Sequence, residues 1–314
     1  MDETYKVQPE KENSIFLFTE DDTVDRSVRK GFRYFLKCVV KSKSALFGFA
    51  VLLLLILCSI FAPLIAPHDP EAVDLSLYLV PPAWMEGGSW DYPLGTDSLG
   101  RCILSRIIYG SQISLIVGFA SVIISGAIGV VLGLLSGYFG KIVDDIIMRI
   151  ADVIFAFPFV LLAIAVLTIL GSGVTNVVAV LVVSSWVTYA RMVRGEVISA
   201  RETEYVEAAK AIGLPARIII FKHIMPNIIN SVIVIASFSF ASSILSEASL
   251  SFLGLGVPAS TPTWGGMISL ARNYMYEAWW MSVFPGIAIA ITVLGINILG
   301  DWLRDYLDPR IQNF

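Results

Sequence analysis

Uncharged apolar runs recur along this chain at lengths close to the thickness of a bilayer, separated by polar segments that hold nearly all of its charge. Residues 45–66 carry no charged side chain, and as a helix those 22 residues extend about 33 Å, enough to cross the hydrocarbon core. Reading each run as a crossing gives six helices, at about 45–66, 108–137, 147–170, 175–192, 227–252 and 279–301. The third and fourth come from one stretch of 38 uncharged residues between Asp152 and Arg191. At about 57 Å that stretch is too long for one crossing, and Gly171-Ser172-Gly173 supplies a turn near its middle. The pattern predicts an all-α integral membrane protein of six transmembrane helices with both termini on one side.

Composition supports this reading. Of 314 residues, 56% are apolar and only 15% charged, where about 25% is usual in soluble domains, and the mean hydropathy is +0.76. The net charge of −4 is less informative than its distribution. With both termini cytoplasmic, 19 of the 22 basic residues fall on the inner side; Arg101, Arg106 and Arg272 alone fall outside, among Asp69, Glu71, Asp74, Asp91 and Asp97. Basic residues flanking spans are retained in the cytoplasm, which fixes the expected orientation in a plasma (inner) membrane. Residues 1–25 read as a polar cytoplasmic tail without a cleavable signal. Residues 26–44 place Arg29, Lys30, Arg33, Lys37 and Lys41 at helical spacing, as either an interfacial helix or a basic flank of the first span. Residues 45–310 then form the six-span domain, with an outer loop at 67–107 and a long inner loop at 192–226.

That inner loop is unusual. From Arg191 to Asn227 the chain runs 37 residues between two spans, where a simple helical hairpin needs only about 2–8. Thr203–Ile212 is rich in helix formers, Gly213 ends it, and Leu214-Pro215 begins a second helix, so helix, bend, helix is expected. Tyr205, Ala208, Ala209 and Ile212 recur at i, i+3, i+4 and i+7, one face that a partner's groove can accept, with Glu207 and Lys210 at its rim.

The string Glu207-Ala208-Ala209, three residues, Gly213, and then Met225-Pro226 resembles the coupling loop of ATP-binding-cassette importer permeases. His223 and Met225 depart from the broad pattern, His223 toward the peptide branch. Gly95-Thr96-Asp97 through Tyr109-Gly110 resembles the lead into the second span of dipeptide, oligopeptide and nickel permeases, with Cys102 where an Asp is expected. Ser246-Glu247-Ala248 through Gly256-Val257, then Trp264-Gly265-Gly266, is a third matching segment. The resemblance implies a type I importer permease with several partners: a homologous second permease, two cytoplasmic ATP-binding subunits and an extracytoplasmic binding protein. It assigns ATPase coupling to Glu204, Tyr205, Glu207, Ala208, Ala209, Lys210, Gly213 and Pro226, and places Glu247, Phe252 and Trp264 at a pathway or gate. ATP and magnesium would sit on the partner subunits, and nickel or glutathione-type cargo is an alternative to peptides.

Side chains read one by one leave further expectations. Glu247 is the only acid in its apolar stretch. It either meets a peptide amino terminus, helps close an outer gate, pairs with a neighbouring chain or caps backbone amides. Asp97 is expected to cap a helix, Arg101 and Arg106 to sit near headgroups, Arg149 to pair with Asp152, and Pro158 to kink its helix. Gly126, Gly129, Gly133 and Gly137 suggest close helix packing. Cys38, Cys58 and Cys102 lack metal or disulfide spacing, and His68-Asp69-Pro70 reads as a turn, so no metal or other cofactor is expected on this chain. The G-x-x-x-x-G-K-[ST] phosphate loop is missing, so ATP hydrolysis belongs elsewhere and the chain is not expected to be an enzyme. Nothing points to nucleic acid. The rival class, an ion-coupled secondary transporter using Asp152 or Glu247, lacks a paired intramembrane base and leaves the inner loop without a purpose.

Overall fold

The computed structural model describes residues 38–258 and 260–307. The chain divides into two units, residues 1–43 and 44–314. Of the first, residues 38–43 are described, and 38–41 are helical. The predicted tail at 1–25 lies outside the described residues, as does most of the predicted basic helix.

The described chain is helical, with one isolated bridge, between Thr96 and Cys102. In order the helices are α1 (Lys43–Ile60), α2 (Ala62–Ile65), α3 (Ile103–Phe139), α4 (Lys141–Ala156), α5 (Phe159–Leu170), α6 (Val174–Arg201) and α7 (Glu204–Ala211). There follow α8 (Ala216–Ile218), a π-helical turn at Ile219–Ile224, α9 (Met225–Phe252), α10 (Trp264–Ala271) and α11 (Trp280–Leu307). Among the described residues five helical segments are long and apolar enough to cross a membrane, or six spans if the bent pair α4–α5 is one. The six-helix expectation therefore holds with one span broken.

The longest packing seam joins α3 to α6. Gly129, Gly133 and Gly137 lie along it and let the two backbones meet: a Cβ at Gly133 would stand 2.7 Å from the Ala190 carbonyl, and one at Gly129 2.5 Å from that of Trp186. Packing is therefore what this glycine series does. Gly133→Leu should destabilise the bundle by about 1–3 kcal/mol or more through overpacking, read as a lowered thermal midpoint in detergent. Gly126→Ala, whose Cβ meets only the Tyr189 ring at 3.5 Å, should change it little.

The third span breaks by 90° between α4 and α5. Pro158 causes a break here, not the expected kink. It forces Phe157 into extended backbone (ψ 129°) and cannot donate to the turn before it. The polar side of α4 is tied to α6: the Arg194 guanidinium donates to both Asp144 oxygens at 2.5 and 2.6 Å, and Arg191 pairs with Asp152 at 2.6 Å. The expected Arg149–Asp152 pair is thus replaced by a contact 39 residues apart, which a single-helix reading cannot see.

The outer loop also differs from expectation. Arg101 and Arg106 are 4% and 1% exposed, so they do not sit among headgroups, and they share Asp97 (Nε to Oδ2, 2.7 and 3.8 Å). Asp97 does not cap a helix; its Oδ1 accepts the Leu99 and Arg101 amides at 2.8 and 3.0 Å and holds a turn. Position 102 therefore needs no acid, and Cys102 is buried against the bridge to Thr96. Trp280 donates to the Thr96 carbonyl at 3.1 Å and fastens the loop to α11. The single Asp97 carboxylate pairs closely with Arg101 and more distantly with Arg106, and α3 begins at Ile103, earlier than the charge count placed it.

Candidate coupling site

The inner loop is mostly helix. The fourth span continues past Arg191 as α6 to Arg201, and α7 follows after a short break. Thr203 stands at the N-cap position of α7, although its hydroxyl donates back to Ala200 at 2.6 Å. Glu204 and Glu207 in the first turn and Lys210 in the last complement the helix dipole.

Gly213 ends α7 with φ +78°. The Leu214 amide donates to the Ala209 carbonyl at 3.1 Å and the Gly213 amide to Lys210 at 3.0 Å, the paired bonds of a Schellman termination that calls for a left-handed residue. The expected bend is therefore present, and its geometry is set by Gly213.

α7 is seated by Val206 and Ala209, 0% and 4% exposed, in a cluster with Val193 and Val197 of α6 and Ile219, Ile220 and Ile224 of the π turn. Ala209 faces its own chain and leaves the predicted docking face. What remains outward is Glu204, Tyr205, Glu207, Ala208 and Ile212, the last 76% exposed. Lys210 is also committed internally, donating to the Arg201 carbonyl at 3.2 Å, which closes the end of α6. Tyr205 is held from the other side: the Asn227 amide donates to its hydroxyl and to the His223 carbonyl, both at 2.8 Å.

Pro226 lies in the first turn of α9. Its ring has no N–H for the Lys222 carbonyl, and the chain before it widens into the π turn, where Met225 donates to Ile220. The result is a continuous helical rod from Ala216 to Phe252, with α7 packed on its first turns. α7 is thus packed at the foot of a helix long and apolar enough to cross the membrane.

A family described as "Binding-protein-dependent transport system inner membrane component" matches residues 129–313, and the "N-terminal TM domain of oligopeptide transport permease C" matches residues 32–82. The chain belongs to this family of transport-system permeases. The "Di/tripeptide transport system permease protein DppC" of Pseudomonas aeruginosa is 43% identical over 87% of this chain and 90% of its own length. The "Glutathione transport system permease protein GsiD" of Pectobacterium atrosepticum is 43% identical over 92% of this chain and 94% of its own. Among solved structures, a chain of the inward-facing MetNI methionine ABC transporter shares the fold, with a TM-score of 0.54 and 19% identity, covering 66% of this permease and 98% of that chain.

The other sequence candidates of this permease fall on the opposite side of the bundle. Glu247 is 1% exposed, and its Oε1 accepts the Ser251 hydroxyl at 2.6 Å. Trp264 is buried, donates to the Ile107 carbonyl at 2.9 Å and lies against Gly110. Phe252 ends α9 at 37% exposure, and its carbonyl accepts from Ser269. The structure does not bring these three together with α7. His68 stacks on Tyr92 with ring centroids 4.4 Å apart, Asp69 accepts the Glu71 amide, and no group of three or more potential metal ligands occurs among the described residues. Sequence reasoning missed Val206 and Asn227. Val206 is three residues before Ala209, the spacing of a buried stripe, whereas Asn227 carried no signal beyond following Pro226.

Proposed function

We propose that this permease is half of the membrane pathway of an ATP-driven importer of di- and oligopeptides. Relatives named as dipeptide and di/tripeptide permeases over most of the chain support the cargo. The observation that carries the mechanism is α7: a short helix seated by Val206 and Ala209, stopped by Gly213, with Glu207 and Ala208 turned outward. Such an element transmits force only if something outside the chain grips it. The grip is assigned to ATP-binding subunits, which carry ATP and magnesium, so this chain performs transport without chemistry of its own. A second, homologous permease completes the pathway, and an extracytoplasmic binding protein delivers cargo. Both termini and α7 lie on the cytoplasmic side of a bacterial or archaeal plasma (inner) membrane. ATP-state-dependent contacts at α7 then bias the two-state equilibrium between outward and inward access.

Relatives named for glutathione make that tripeptide the second candidate cargo. Uptake of a labelled dipeptide by cells carrying the permease with its partner subunits should require each ATP-binding subunit and the binding protein. Competition by unlabelled peptides, with none by a nickel chelate, is the expected order. Uptake indifferent to loss of the ATP-binding subunits would refute the reading.

A further inference from the structure

On the side of the bundle that carries α7, residues of α6, α9 and α11 line a half-open cavity of about 490 Å³, within the roughly 300–1,000 Å³ usual for small-molecule sites. Its wall is unusual for a membrane bundle. Asn227, Asn230, Ser231 and Arg304 line it together with Met192 and Phe238. Arg304 offers a guanidinium fork of the kind that takes a carboxylate through two parallel hydrogen bonds. The Ser231 hydroxyl donates to Glu196 at 3.1 Å, which sets an acid one hydrogen bond away from the wall. A cation, two amide side chains and apolar neighbours on the wall, with an acid behind Ser231, match a short zwitterionic peptide better than an inorganic ion.

The cavity is also connected to α7. Asn227 lines it, and the same side-chain amide donates to Tyr205 of α7 and to the His223 carbonyl in the π turn. A peptide that pairs with Asn227 and turns that amide breaks the bond to Tyr205. One of the contacts seating the coupling helix is then lost while the cavity is filled.

We propose that this cavity is a cytoplasmic-side site for the imported peptide, held by its carboxylate on Arg304, and that its occupancy slows transport through the Asn227–Tyr205 link. The inference rests on the peptide-import reading and adds to it a product-sensing site. Accumulated cargo on the inner side then restrains the motor that imports it.

The test uses the whole transporter in vesicles loaded with ATP and unlabelled dialanine, with binding protein and labelled dialanine outside. Internal dialanine should inhibit uptake and ATP hydrolysis together. Dialanine amide, which lacks the carboxylate, should need at least a tenfold higher concentration, and Arg304→Gln or Asn230→Leu should raise the half-inhibiting concentration of dialanine by a similar factor. The amide comparison uses the wild-type protein, so it stands even if a variant folds poorly. A maleimide reacting at Ser231→Cys should also be slowed by internal dialanine. Uptake unaffected by internal dialanine, or equal inhibition by the amide, would overturn the site while leaving peptide import in place. A transporter that imports no dipeptide at all would overturn both.

Discussion

Gly213→Val is expected to reduce ATP-driven uptake at least tenfold while the chain still inserts and accumulates in the membrane. Gly213 has φ +78°, and no atom stands within 4 Å of the position a Cβ would take, so a side chain meets no clash. The penalty is purely conformational. A β-branched residue in the left-handed region costs on the order of 1–3 kcal/mol, enough to open the paired bonds to Ala209 and Lys210 that terminate α7. About 1.4 kcal/mol is already a tenfold change in an equilibrium constant. Under the proposed coupling, a relaxed bend turns Glu207 and Ala208 away from the ATP-binding partner. Gly213→Asn, which tolerates this conformation, should keep much of the activity. Uptake assayed alongside membrane abundance checks both variants; normal transport by the valine variant would remove Gly213 from the mechanism.

The largest stability effect is expected at Asp97. Its carboxylate is the shared partner of two guanidinium groups, all three side chains being at most 5% exposed. Asp97→Ala leaves Arg101 and Arg106 buried beside each other, and breaking a buried ion pair from one side costs about 3–5 kcal/mol. It also frees the Leu99 and Arg101 amides. The variant should be scarce in membranes and lose its thermal transition in detergent. Asp97→Asn keeps an acceptor for those amides and should fall between the two. An unchanged midpoint for the alanine variant would show that the Arg pair is held by other contacts.

What could be read from the sequence divides along a physical line. Spans, the turn at Gly171–Gly173 and the bend at Gly213 follow from local rules, apolar length and backbone permission, and each is present in the fold. Partnerships across the fold were not readable. Asp97 shows no sign that it faces Arg106, nor Asp152 that it faces Arg191, because both depend on which helix lies beside which. The docking face of α7 was half legible for the same reason: periodicity groups Tyr205, Ala208, Ala209 and Ile212, but only the position of α6 decides that Ala209 turns inward. Pro158 marks the broken third span, but proline chemistry alone does not distinguish a bend from the 90° break that the structure shows.

The central claim is that transport through this permease is driven by an ATP-fuelled partner gripping α7, not by an ion gradient. The most direct test is labelled dipeptide uptake by the reconstituted transporter with internal ATP held constant and all ion gradients collapsed by ionophores. Uptake should continue at close to its full rate, stop when ATP is withdrawn, and fall at least tenfold when the exposed Glu207 is replaced by lysine. Uptake that follows the ion gradient without ATP, or that is unchanged by Glu207→Lys, would contradict it.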